Sequence, residues 1–169
     1  MDENNNDLRD FLYELSAMIA DTGEINLKFI QNRDTGGQQV ITLTPSFPGL
    51  KRVVQSYGEK DFVHIMTVSR CCMKKSKTVF AFVGTGYFSE DLAEEEINDI
   101  SEFLDEALLL IDKDIPIRGP QEYKKGKYSY FNQFVGGLDQ CKGTEWITFD
   151  FKGKSKKVYS MEYTGRKID

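Results

Sequence analysis

From Tyr128 to Tyr163 the chain alternates apolar and polar side chains in three runs, with short glycine-rich punctuation between them. Tyr128 and Tyr130 flank Ser129, while Ile147, Phe149 and Phe151 alternate with Thr148 and Asp150. Tyr159, Met161 and Tyr163 alternate with Ser160 and Glu162, and Gly136, Gly137, Gly143 and the run Lys152-Gly-Lys-Ser155 part the three. A two-residue period is that of a half-buried strand. Hairpin loops can be this short, whereas a parallel crossover needs about a dozen residues. Residues 118–168 are therefore expected to form an antiparallel β-meander.

Upstream the period changes twice. Asn6 or Asp7 is placed to cap a helix, and Leu8, Phe11, Leu12, Leu15, Met18 and Ile19 recur at steps of three and four. Gly23 supplies a stop, and residues 1–6 read as a frayed tail. Ile25, Leu27 and Phe29 then alternate with Asn26 and Lys28, and residues 40–44 read as the returning strand of a hairpin. Residues 50–57 are compatible with either a short helix or a strand. Residues 62–73 and 78–83 form a second hairpin, which Gly84-Thr-Gly86 is expected to end. Ser89 is placed to cap a long second helix, with Glu90, Asp91, Glu94, Glu95 and Glu96 at the positive end of its dipole. Ala93, Ile97, Ile100, Leu104, Ala107, Leu108 and Ile111 are its apolar stripe. The whole chain, 1–169, is expected to be one domain. Its class is α+β, two α-helices packed with a mainly antiparallel β-sheet of about six or seven strands.

Charge and cysteine content narrow the function. Three cysteines, two of them the adjacent Cys71 and Cys72, cannot all pair, which fits a reducing compartment. No apolar run approaches the roughly 18–20 residues that span a bilayer, and the N-terminus is acidic where a signal peptide is basic. A soluble, cytoplasmic protein with no membrane partner is expected. The net charge of −5 weighs against a general nucleic-acid binder. Residues 117–169 hold 11 Lys/Arg against 6 Asp/Glu, and residues 1–116 hold 11 against 21. The same C-terminal segment has 10 of the 21 aromatics, so any anionic or acidic partner is expected there.

An ordered series marks this segment: Tyr123-x-x-Gly126-x-Tyr128-x-Tyr130, Gly136, Lys142-Gly143-x-Glu145-x-Ile147-x-Phe149, and Val158-Tyr159-x-Met161-x-Tyr163-x-Gly165. Over about residues 118–168 it resembles a family of uncharacterised bacterial domains of unknown function, found alone or C-terminal to a helix-turn-helix in transcriptional regulators. Cys141 stands where that family usually has an aromatic, and Thr164 where a histidine is common. The resemblance implies the fold and a bacterial or phage origin rather than an activity.

Candidate catalytic groups are few. His64 is the only histidine, and it alternates with Phe62 and Met66 on an expected strand. Cys71 or Cys72 with His64 would make a small hydrolase if the fold brought a thiol to the base. Zinc held by Cys71, Cys72, Cys141 and His64 lacks the usual ligand spacing, so neither metal nor cofactor is expected. Gly84-Thr-Gly86 and Lys152-Gly-Lys-Ser155 carry letters of phosphate-binding loops without the remaining motif; both read as turns.

The expected function is thus a non-catalytic binding or interaction module, regulatory or inhibitory, that recognises a small anionic ligand or an acidic protein partner. Its candidate binding residues are Lys124, Lys125, Lys127, Tyr128, Tyr130, Trp146, Tyr159 and Arg166. Turn lysines interleaved with strand aromatics are also how some single-strand nucleic-acid binders work, so that reading stays open beside the hydrolase. Head-to-tail association of the basic meander with the acidic helix of a second copy is an equally physical outcome. Trp146, opposite in facing to Ile147 and Phe149, is either covered and structural or an exposed anchor.

Overall fold

The computed structural model describes residues 8–13, 28–32, 37–43, 49–72, 75–112 and 117–168. The expected tail 1–6, the helix positions Leu15, Met18 and Ile19, the stop at Gly23 and the strand start at Ile25 lie outside those residues. A helical segment, α1 (8–13), buries Leu8, Phe11 and Leu12, the three described members of the first stripe.

Among the described residues, nine antiparallel strands make one sheet: β1 (Lys28–Asn32), β2 (Gly37–Leu43), β3 (Leu50–Gly58), β4 (Asp61–Cys72), β5 (Lys75–Phe88), β6 (Glu122–Lys125), β7 (Tyr128–Gly136), β8 (Gln140–Phe151) and β9 (Lys154–Lys167). The order across the sheet is β1-β2-β3-β4-β5-β9-β8-β7-β6. Two meanders, β1–β5 and β6–β9, therefore meet along a single seam, where Phe80 to Phe88 pair with Lys167 to Tyr159. The count reaches nine because residues 50–58 resolve as a strand and Glu122–Lys125 adds a short edge. The meander expected over 118–168 is present, and the class is α+β. Among the described residues, no helix is long and apolar enough to cross a membrane.

Two local expectations are corrected. Strand β5 does not end at Gly84-Thr-Gly86 but runs through both glycines to Phe88. Their missing side chains make room: a Cβ on Gly84 would lie 2.7 Å from Met161 Sδ, and one on Gly86 2.6 Å from Phe62 Cζ. The glycines let large neighbours lie over the strand rather than breaking it. The second correction concerns the cap of helix α2 (Glu94–Leu109), which is Ala93, not Ser89. Ser89 Oγ instead donates to Asp91 Oδ1 at 2.7 Å. Glu96 Oε2 accepts from the Ala93 N–H at 2.9 Å, so a first-turn carboxylate fills the capping role. Lys60 Nζ donates to the carbonyls of Glu90 and Leu92, 2.8 Å each, and ties the approach to the helix onto the start of β4. Lys152-Gly153, with φ of 49° and 76°, is the two-residue turn joining β8 to β9, as positive φ at both positions of a hairpin turn requires.

Helix α2 buries Ile100, Phe103 and Ala107, spaced at three and four as an amphipathic stripe demands. The register puts Met66, Val68, Phe80, Phe82, Tyr130, Ile147, Tyr159, Met161 and Tyr163 on one face of the sheet, and all are buried. That inner face and α2 enclose the core. Phe103 lies 5.5 Å from Tyr123 and 5.3 Å from Tyr128, ring centre to ring centre, which seats the helix over β6 and β7.

Candidate functional site

The inner face has a packed part and an open part. Over β7–β9, Glu145 projects from β8 beside Ile147 and is wholly buried. Arg118, in the segment between α2 and β6, reaches it with both arms of its guanidinium: Nε donates to Oε2 at 2.8 Å and Nη2 donates to Oε1. Tyr130 Oη donates to Oε2 at 2.8 Å and Tyr159 Oη to Oε1 at 2.7 Å. Four donors use the approximately four lone-pair positions of one carboxylate. Burial pushes Tyr130 and Tyr159 above the ordinary phenol range, and the Glu145 charge pushes them further. Burial opposes the Arg118 charge, yet Glu145 raises its pKa above the free value. The Arg118 segment is pinned from β7, where Asn132 Nδ2 donates to the Gly119 carbonyl at 3.1 Å and the Asn132 N–H to that of Gln121 at 2.9 Å. Tyr163 Oη, donating to Asn132 Oδ1 at 2.7 Å, completes the network. Gly143 leaves space for this ring, since a Cβ there would stand 2.3 Å from Tyr163 Oη.

Over β3–β5 the face is not filled. Two adjoining cavities of about 360 and 340 Å³ lie between the sheet and the C-terminal half of α2, and both reach His64, Asp105, Leu108 and Arg118. The larger is walled by Val54, Met66, Phe82, Leu109 and Ile117, with Arg52 entering from β3. Arg52 Nε is buried and has no hydrogen-bond partner among the described residues. Burial, then the nearby Arg118 charge, lowers its pKa to about 10. His64 Nδ1 and Ser56 Oγ are 3.1 Å apart across the β3–β4 pair. Burial first, then Arg118 and Arg52, lower the His64 pKa to about 3. A pKa lowered this far makes the imidazole a weak base at neutral pH.

The expected catalytic residues are not brought together. His64 and Cys71 sit seven residues apart on β4, roughly 20 Å at the rise of a strand. Cys71 Sγ lies 3.7 Å from Ser76 Oγ, and the Cys72 side chain is outside the described part. Cys141 is buried on β8, separated from β4 by β5 and β9, and burial pushes its thiol up to about 11. No cluster of three or more metal-ligating side chains occurs among the described residues.

Of the expected binding residues, Tyr128, Tyr130 and Tyr159 are buried inner-face residues and present no free ring to a stacking base. The lysines largely meet acids of their own chain. Lys125 Nζ lies 2.7 Å from Glu106 Oε2, Lys156 pairs with Asp91, and Lys124 stands 3.9 Å from Asp150. The acidic helix thus lies against the basic meander within one molecule. Lys127 Nζ sits 5.1 Å from the Tyr128 ring centre and 5.2 Å from that of Phe149. Arg166 is exposed on β9, its Nε donating to the Lys167 carbonyl at 3.4 Å. Trp146 is half-buried on the outer face, stacked on Phe131 at 5.4 Å with Lys157 Nζ 5.4 Å from its ring.

The residues that shape the cavity, Arg52, Ser56, Asp105 and Arg118, were not among those expected from sequence. Glu145 had a legible signal, because its parity along β8 places it with Ile147 and Phe149 on the apolar face. Arg118, between Ile117 and Gly119-Pro120, carried no local periodic signal. The family model described as a domain of unknown function (DUF5680) matches residues 55–168, from within β3 to the end of β9. No curated protein and no solved structure matches the chain.

Proposed function

The chain belongs to the DUF5680 family, and from that premise we propose that it is a non-catalytic binding module that takes a small anionic ligand between α2 and strands β3–β5. We place it in the cytoplasm of a bacterium or in a phage. The observation that carries the reading is Arg52: a guanidinium with a buried, unpartnered Nε in the wall of a cavity of about 360 Å³. A buried donor left unpaired costs about 1–3 kcal/mol, a cost that an anionic ligand would remove. The volume falls within the range of about 300–1,000 Å³ used for small-molecule sites, and few polar groups in an apolar wall is their usual make-up. The turn lysines are a weaker basis for an acidic partner, since Lys125 and Lys156 already have carboxylate partners in the same chain.

Native mass spectrometry of the full chain, purified from cells without denaturation, tests this. A small-molecule adduct is expected on the wild type and not on Leu108→Trp, whose indole would fill the cavity. A wild type that carries no adduct, and whose melting temperature no member of a broad organic-acid panel raises, would overturn the reading.

A further inference from the structure

We infer that the ligand is an organic monocarboxylate with an apolar body, its carboxylate on the Arg52 guanidinium and its body against Val54, Met66, Phe82 and Leu108; this rests on the ligand-binding reading above. The charge balance of the wall sets the ligand's charge. Arg118 lines the cavity but gives its charge to Glu145 through a two-armed pair. His64 is held neutral by burial and by the two arginines. Asp105 also lines the cavity, and burial raises its pKa above the ordinary carboxylate value. Among the described residues, Arg52 Nε is then the one buried cationic donor of that wall without a hydrogen-bond partner. One guanidinium with a free N–H suits one carboxylate.

The head group follows from geometry. A guanidinium offers a planar fork that matches the two oxygens of a carboxylate, and such charge-assisted pairs are roughly twice as strong as neutral hydrogen bonds. A phosphate monoester, near two negative charges at neutral pH, would leave its second charge without an unpaired cation in that wall. The body follows from the wall. Val54 and Met66 face each other across β3 and β4, Met66 and Phe82 across β4 and β5, and Leu108 closes the space from α2. These four expose no hydrogen-bonding side-chain group to a ligand. An apolar chain or ring in contact with them is favoured by the surface it removes from water.

Isothermal titration calorimetry on the full chain with octanoate, octanol, octylamine and octyl phosphate separates these claims. Octanoate is expected to bind, and each of the other three to bind at least about tenfold more weakly, the worth of one charge-assisted pair. Arg52→Gln is expected to reduce octanoate binding by about tenfold or more, with the far-ultraviolet spectrum unchanged. Arg52→Lys keeps the charge without the fork and should fall between the two. Octanol binding as tightly as octanoate would overturn the carboxylate while leaving the cavity reading standing, as would octanoate binding that survives Arg52→Gln. Octyl phosphate as the tightest of the four would overturn the single-charge argument. Binding of none of the four would overturn this inference, whereas an adduct in native mass spectra would still uphold the ligand site.

Discussion

Arg118 and Arg52 line the same cavity beneath one helix; Arg118 is paired with Glu145, while Arg52 Nε has no partner among the described residues. Around Arg118 the sheet supplies Glu145 and two phenols, every lone pair of the carboxylate is used, and α2 packs Phe103 against Tyr123 and Tyr128. Around Arg52 the same helix stands off the sheet, and the guanidinium keeps a buried N–H unpaired. The contrast separates two uses of a buried cation. One fixes a unique packing, because removing its partner strands a charge; the other keeps an N–H unpaired at a cavity wall, the feature on which the proposed anion site rests.

The contrast can be tested by substitution. The largest effect is expected at Glu145→Gln, which strands the Arg118 charge and should cost about 3–5 kcal/mol in urea unfolding; a loss under about 1 kcal/mol would make the two arginines equivalent. Next comes acid sensitivity at His64. Its folded pKa is lowered from 6.5 to about 3, so the unfolded chain takes up a proton that the folded chain refuses. That contribution is whole above about pH 6.5 and is lost as pH falls toward about 3. His64→Phe should therefore flatten the stability profile over that window, and parallel profiles for variant and wild type would remove the cavity's effect on the ring. Arg52→Met should act in the opposite direction to Glu145→Gln, raising stability by about 1 kcal/mol as the unpaired donor is removed, while octanoate binding is lost. Destabilisation by this change would mean that Arg52 holds the fold. The smallest effect is expected at Lys125→Glu. Lys125 and Glu106 are both solvent-accessible, and screened pairs of that kind contribute little, so neither the unfolding midpoint nor octanoate affinity should move measurably.

How far these features could be read from the sequence depends on their range. The meander was legible because Tyr128/Tyr130, Ile147/Phe149 and Tyr159/Met161/Tyr163 repeat a strictly local period. The stripe of α2 was legible for the same reason, though Ser89 misled: a good capping residue lost to Glu96, which sits three residues beyond the true cap. Gly84 and Gly86 read as a terminator because the reason for them is Met161 and Phe62, distant in sequence and adjacent in space. The cavity was illegible for a deeper reason. Arg52, His64, Asp105 and Arg118 lie on four different elements or segments, and an unpaired N–H is a property of what fails to surround it. The basic surface, by contrast, was visible as composition, but its pairing with the acidic helix of the same chain was not.

The seam between β5 and β9 has a consequence for the order in which the molecule assembles. Every other neighbouring pair of strands in the sheet is consecutive along the chain, so each can close as a hairpin within microseconds. At the seam, partners are 71 to 87 residues apart, and loop-closure entropy must be met before their contacts reward it. The two meanders should therefore zip independently, with joining as the slow step. Tyr159 and Met161 of β9 complete the smaller cavity, whose other strand residues come from β3–β5, so that part of the site exists only after the seam has closed. A ligand seated there, as proposed, would by mass action favour fully joined molecules over two separate halves.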